Sequence, residues 1–566
     1  STITANGYLA VEGTSGNTGS AGDRWIGGDG TAGTWFYNVP TGSNHYFAVN
    51  NSNKFIIASD GSLSTPTAGT SNVRFGVNAG NSITSGGNYN TVVGDEAGTA
   101  LTTGDNNVAL GYASLDALTT GSTNTGLGSF SLSSNTTAGN NVGVGYFALK
   151  ANTTGTSNVA VGTNALDANT TASNNTGIGV GALGANTTGA QNTSLGMNAL
   201  ALNTTASYNT ALGYQAVYGN LTGTELVGVG HNALIENTTG NYNVAVGGFA
   251  LDANTTASNN TAVGYNSLSA NTTGGYNVAL GTSALTANTT ATNNVAVGFS
   301  ALTANTTGTS NVSLGAYSLT ANTTANSNTA LGHGTLNLNT TGASNTAVGE
   351  TALTANTTGA NNVAVGKSAL IAVTTGAGNI AVGSTAGDSI TTGTDNIVIG
   401  RAVAASAVDS ANQIVMGDNV TGNANSSFCF GKDATDSAIA FGATSITAPS
   451  DQRYKEEIVD AVAGLSFVND LRPVTFKWKK EKDIPSTQRA YVEGSETRVM
   501  NDYTNHGFIA QEVKTVIDAH SEIKDGFDMW MEDEADGRQR LGPSALIPVL
   551  VKAIQELTAR IETLEG

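Results

Sequence analysis

A chain of 566 residues with 72 glycines, 11% charged residues and 6% aromatics lacks the side chains for several conventional globular cores. Its net charge of -19 argues against a nucleic-acid binder, because affinity for a phosphate backbone comes from Lys and Arg, and no basic patch precedes residue 450. The single cysteine, Cys429, rules out an intrachain disulfide framework and a Cys-rich metal site, and reads as a small buried apolar residue.

Residues 1–75 hold Trp25, then Trp35-Phe36-Tyr37, then His45-Tyr46-Phe47. Alternating runs such as HYFAVN and KFIIAS, separated by NNSN and DGS, predict short strands and hairpins in a small N-terminal β domain. The aromatics read as a small core, with a carbohydrate site as the alternative. Ser1 to Ala10 has neither the basic nor the apolar region of a signal peptide, although the chain starts without Met and a removed leader stays open. No window approaches the roughly 18 apolar residues of a membrane span, so no membrane insertion is expected. His45, His231 and His333 form no ligand spacing and read as isolated, so no metal and no cofactor is expected.

From residue 76 to 417 the chain repeats. The motif Asn-(Val/Thr)-x-(Val/Leu/Ile)-Gly places its glycine at Gly94, Gly111, Gly128, Gly145, Gly162 and onward to Gly400, nineteen times at a spacing of 17 without an insertion. Gly417 extends the series, and Gly76 and Gly431 fall slightly out of register at its ends. Seventeen residues are too few for a helical hairpin, and the Val-x-Val core has period 2, so each unit predicts one coil of a parallel β-solenoid. At roughly 4.8 Å per coil, nineteen coils make a shaft of about 90 Å.

With the motif Asn as position 1, positions 4 and 9 are aliphatic, as at Val161 and Leu166, and are assigned inward. Position 5 is Gly, as at Gly162, which implies a conformation or an approach that a Cβ forbids. Position 12 is Asn in fourteen successive coils, from Asn135 through Asn169 and Asn254 to Asn356, but Leu101 and Leu118 precede them and Val373 and Ile390 follow. A left-handed turn suits Asn but not Val or Ile. Position 12 is therefore expected inside, its amides stacked as a ladder with apolar ends. A plain surface turn is the alternative. The repeat NVAVGxxAL resembles the head repeat of trimeric bacterial autotransporter adhesins, which typically use a shorter unit, and that likeness implies a homotrimer.

Residues 418–449 lose the period and read as a final β segment with Phe428, Cys429, Phe430 and Phe441. Composition then changes at Ser450, since fifteen of the 22 Lys and Arg residues lie between 450 and 566. Ile547, Leu550, Ile554, Leu557, Ile561 and Leu564 step by 3, 4, 3, 4 and 3, which places them on one helical seam with Lys552, Glu556, Arg560 and Glu562 outside it. A short coiled coil compatible with three strands is expected. The segments SDQRYKEEI, GLSFVNDLRPVTFKWK, HGFIAQEV and ALIPVLVKAIQELTARIETLE resemble the C-terminal intramolecular chaperone domain of endosialidase-type tailspikes and related phage fibres. That resemblance implies self-cleavage at Pro449-Ser450, with Ser450 as nucleophile, Lys455 as general base, Asp451 as a positioning residue and His506 as a second participant. The same segment fits Ser450 as the N-cap of a helix with Lys455 on its solvated face.

The expected fold is mainly β: a trimeric β-solenoid shaft with a small α+β C-terminal domain ending in a coiled-coil helix. The expected function is that of a bacteriophage tail fibre, assembled in the bacterial host cytoplasm and carried on the virion. Its N-terminal region would join other virion tail proteins, and its distal end, residues 418–449, would contact a host cell surface. A bacterial trimeric adhesin should end in a membrane β-barrel, for which the sequence offers no segment. An ice- or surface-binding solenoid needs a flat outward Thr array, and adjacent threonines such as Thr153 and Thr154 cannot both face out of a strand. No action on an external substrate is expected, at most one self-cleavage per chain.

Overall fold

The computed structural model describes residues 9–10, 25–27, 36–38, 45–49, 52–57, 63–64, 68–443, 446, 450, 452–488, 490–524, 527–532 and 537–566, the segments before 68 by their strand pairing alone. The chain forms two compact units, Ser1–Pro449 and Ser450–Gly566.

In the first unit, β1 (Leu9–Ala10), β2 (Trp25–Gly27) and β3 (Phe36–Asn38) form one antiparallel sheet, and β4 (His45–Val49), β5 (Ser52–Ile57) and β6 (Leu63–Ser64) form another. The expected HYFAV and KFII strands are thus β4 and β5. The packing of the aromatic side chains, on which the core and carbohydrate readings turn, lies outside the described residues.

A parallel β-solenoid follows. From β7 (Val73–Phe75) through β8 (Thr91–Val93) to β26 (Ile397–Ile399), β27 (Ile414–Asp418) and β28 (Ser427–Lys432), each strand pairs in parallel with the next one in sequence. Between β8 and β26 the register advances by one repeat per coil, as in Val159↔Thr176 and Val161↔Ile178. β29 (Thr435–Ala440) turns back antiparallel on β28, so the last coil ends as a hairpin. Cys429 is fully buried there, its thiol 3.2 Å from an Asp436 carboxylate oxygen, and burial pushes its pKa up to about 12.

Inside the coil, position 9 is buried as expected: Leu166, Leu234 and Leu353 are inaccessible. Position 4 is not. In the strand Val159–Val161 the middle residue, Ala160, is buried, and Val159 and Val161 flank it on the outer face. The inward assignment of Val161 and its equivalents is therefore corrected to outward. The cause is room. Leu at position 9 and Asn at positions 1 and 12 already fill the coil, so the strand residue pointing in must be small: a Cβ on Gly126 would lie 2.5 Å from Ser114 Oγ and 3.2 Å from Leu115 Cγ. Period 2 then sends both larger neighbours outward.

Gly162 meets both conditions that position 5 implied. Its φ is +132°, and a Cβ there would stand 2.6 Å from the carbonyl oxygen of Gly179 in the next coil. Position 12 also behaves as read. Asn169 Nδ2 donates to Asn152 Oδ1 at 2.8 Å and to the Ala172 carbonyl at 3.0 Å. Equivalent bonds continue to Asn356, which donates to Asn339. Asn135 lies buried at the other end and bonds Ala138 within its own turn. Leu101, Leu118, Val373 and Ile390 are buried at the same position. The ladder ends at a cost, because Asn356 Oδ1 is buried without a hydrogen-bond partner beside the Val373 coil.

The premise behind that reading was too strict. Left-handed backbone falls at positions 7, 9 and 17, and at position 9 it includes Leu166 (φ 51°) and the β-branched Val217 (φ 53°). A second ladder went unread. The position-1 Asn accepts the next coil's backbone N–H, as Asn90 Oδ1 does from Asn107 at 2.9 Å, and its Nδ2 donates to a position-15 carbonyl, as from Asn90 to Gly104 at 2.9 Å. The near-constant Asn before every strand was its sequence signal.

In the second unit, α1 (Leu465–Asp470), α2 (Ala510–Ala519) and α3 (Leu546–Glu565) pack with two antiparallel pairs, β30 (Val474–Phe476) with β31 (Asn505–Gly507) and β32 (Trp530–Glu532) with β33 (Gln539–Leu541). Phe467 of α1 is fully buried among Leu471, Val513, Ile517, Met529 and Val549.

Candidate functional site

Ser450 is the first residue of the second unit. A short 3-10 helix over Gln452–Tyr454, closed by the Lys455 N–H on the Gln452 carbonyl at 3.1 Å, turns the chain back. The Lys455 side chain returns, and its Nζ donates to Ser450 Oγ at 2.7 Å. A hydroxyl within hydrogen-bond reach of an amine is the arrangement in which Lys serves as base to a Ser nucleophile. Both residues are exposed. The N-cap reading finds only this three-residue 3-10 helix in place of the expected helix.

His506 lies on β31, opposite Thr475 of β30, with its side chain exposed. Among the described residues it hydrogen-bonds neither Ser450 nor Lys455. Asp451 and Pro449 lie outside the described residues. Of the four catalytic residues expected from sequence, the structure brings two together.

α3 has two apolar faces. Leu546, Val549 and Ala553 are buried in the unit's own core, and Glu556 on the same side accepts the Leu465 backbone N–H at 2.9 Å, capping the start of α1. Sequence placed Glu556 outside the seam but gave no sign of that bond, which joins residues 91 apart. The seam itself is unpartnered: Ile547, Leu550, Ile554, Leu557, Ile561 and Leu564 are all exposed, Ile554 at 62%.

His520, at the end of α2, was not singled out by sequence. Its Nδ1 lies 2.8 Å from Glu522 and its Nε2 2.9 Å from Asp470, and these two hydrogen bonds raise its pKa. On the shaft, His231 and His333 are not isolated. His231 stacks on Tyr214 at 5.4 Å and meets the Phe249 edge, and His333 meets the Tyr317 edge at 5.9 Å, so each belongs to a column of rings from successive coils. Among the described residues, no group of three or more His, Cys, Asp or Glu could hold a metal ion, and no helix is long and apolar enough to cross a membrane.

No curated protein and no solved structure matches the chain. Residues 450–522, the segment that opens with the Ser450–Lys455 pair and runs through α2 to Glu522, match the Peptidase_S74 family, chaperone of endosialidase.

Proposed function

We propose that this chain is a structural fibre of the bacteriophage tail fibre or tailspike kind, in which residues 450–566 act as a built-in chaperone that brings three copies together. The observation that carries this reading is the junction at Ser450. A long self-similar solenoid ends, and a compact unit begins whose first 73 residues are similar to a chaperone of endosialidase. A shaft of near-identical coils needs an outside source of register, and linked chaperone units raise the local concentration of the strands that precede them in the chain. The α3 seam carries Ile at one set of heptad positions and Leu at the other, a pattern that in isolated parallel coils favours two strands. Three-fold assembly therefore rests on the family likeness, not on the seam. The N-terminal region would dock on other virion proteins, and residues 418–449 would meet the host surface.

The same junction is the proposed cleavage site. Ser450 Oγ attacks the carbonyl carbon of Pro449 as Lys455 takes the hydroxyl proton. The C–N bond breaks, the nitrogen keeps its electron pair and receives the proton, and an ester to Oγ forms. Water then hydrolyses that ester, leaving a Pro449 carboxylate and a Ser450 amine. Expression of wild type and Ser450→Ala tests this on a denaturing gel. Two fragments from wild type and one full-length band from the variant are expected, and an unchanged full-length band in both overturns self-cleavage. Light scattering on the purified protein tests assembly, with a monomer overturning the trimer.

A further inference from the structure

The shaft strands carry an outward face that solvent does not explain. At position 4, all nineteen residues from Val93 to Ile399 are Val, Leu or Ile, and position 2 is Thr in eight coils and Val or Ile in the other eleven. No charged residue interrupts either column. These side chains point away from the coil interior: Leu110, Leu195 and Leu314 stand 42%, 44% and 43% exposed, beside buried Ala109, Ser194 and Ser313. The next outward position, 6, is mixed by contrast: it admits charge at Asp95, Glu350, Lys367 and Arg401, and rings or apolar groups at residues such as Tyr112, Val180, Met197 and Phe299. A sheet face that meets water alternates in the opposite sense, polar outside and apolar inside.

We propose that this strand face is the seam along which copies of the chain pack against each other, parallel and in register. The inference rests on the assembly reading above and names the surface that reading requires. Area supports a second copy as the occupant. A strip about 10 Å wide, three residues at roughly 3.3 Å each, and about 90 Å long offers on the order of 900 Å² per copy, close to the roughly 800 Å² per partner of a standard stable interface. Shape is compatible with it as well, since a second copy repeats at the same interstrand spacing of roughly 4.8 Å and so presents side chains in step with every coil. A continuous apolar strip of this size is rare on a chain that remains single. The second unit independently exposes another aliphatic row, the α3 seam.

In a parallel, in-register assembly, equivalent residues meet across the symmetry axis. The test places one cysteine on the face of the full-length chain, Leu280→Cys or separately Leu195→Cys, with Cys429→Ala removing the buried native thiol. The control, Thr290→Cys, is an exposed turn residue close in sequence to Leu280. After treatment with a short bismaleimide, denaturing gels are expected to show most of the Leu280→Cys and Leu195→Cys chains as covalent pairs, and the Thr290→Cys chains unlinked. An assembly that persists by light scattering without these links, or that links Thr290→Cys equally, overturns this face and leaves the assembly reading standing. Monomers by light scattering overturn both.

Discussion

The two units solve opposite problems. In the shaft, each bond is repeated: the Asn169-to-Asn152 amide bond, the Asn107-to-Asn90 cap and the strand pairing recur coil after coil. Stability grows with length, but a copy displaced by one coil would find nearly the same partners. In the second unit nothing recurs. Glu556 caps α1 across 91 residues, Phe467 takes the edges of His520 and Phe527, and Arg472 pairs with Glu512. Such contacts exist in one register only. The solenoid thus takes its regularity from contacts that recur, and the second unit its uniqueness from contacts made once.

The solenoid is most vulnerable at a position-5 glycine. Gly162→Val forces an L side chain into φ +132° and drives its Cβ to within 2.6 Å of the Gly179 carbonyl. A φ of +132° lies beyond the left-handed basin that Leu166 occupies and costs an L residue on the order of 1–3 kcal/mol, and the clash with backbone adds to it. The expected outcome is a parted stack, read as proteolytic cutting near residues 162–179 with the second unit intact. Resistance equal to wild type refutes the steric account.

Next in size is the α3 seam. Ile554→Asp leaves the unit's core untouched, because Ile554 is 62% exposed, whereas Val549→Asp puts a charge where Val549 is buried. Val549→Asp is expected to unfold the second unit by circular dichroism. Ile554→Asp is expected to keep its helicity and lose assembled mass by light scattering. Equal loss of helicity in both would mean that the seam belongs to the fold of a single chain.

Within the ladder, Asn254→Ala strands the buried acceptor Asn237 Oδ1, which it bonds at 2.8 Å, and the Ala257 carbonyl. An unsatisfied buried acceptor costs roughly 1–3 kcal/mol. Thermal unfolding followed by circular dichroism should register a lower midpoint for Asn254→Ala than for Asn254→Thr only if a hydroxyl can stand in for the amide. A midpoint unchanged by Asn254→Ala refutes the ladder's contribution.

Much of the shaft was legible because a repeat tests each position many times. Val373 and Ile390 at an Asn position revealed its inward direction, and Gly162 revealed a backbone constraint. Position 4 was misread because apolar character was taken for burial, and the narrowness of the coil appears only once Leu166, the Asn residues and the strand occupy it together. His231 and His333 looked isolated because residues 17 apart in sequence are neighbours in a solenoid. The Ser450–Lys455 pair entered only through the family resemblance, while the clasp of Asp470 on His520 joins residues 50 apart with no local pattern.

That clasp gives the smallest expected effect, and it sits wholly in the non-repeating unit. Both ring nitrogens of His520 face carboxylates, Glu522 and Asp470, and the doubly protonated imidazolium can donate to both. Phe467 closes the ring side at 5.3 Å. The hydrogen bonds to Glu522 and then Asp470 raise the folded pKa above its ordinary value of 6.5. A raised folded pKa contributes stability that is fully present below about pH 6.5 and is lost as pH rises through the folded value. On the acid side, Glu522 is held below its ordinary 4.5 by its backbone hydrogen bond and then by His520, so its contribution fades as pH falls below that range. Unfolding of the second unit, followed by the far-UV helical signal of α1, α2 and α3, should therefore ease from pH 6 to pH 8.5 in wild type. In His520→Gln that slope should flatten, while the solenoid's transition, which contains no such clasp, keeps its position in both. An identical pH slope in His520→Gln would assign the dependence to other groups.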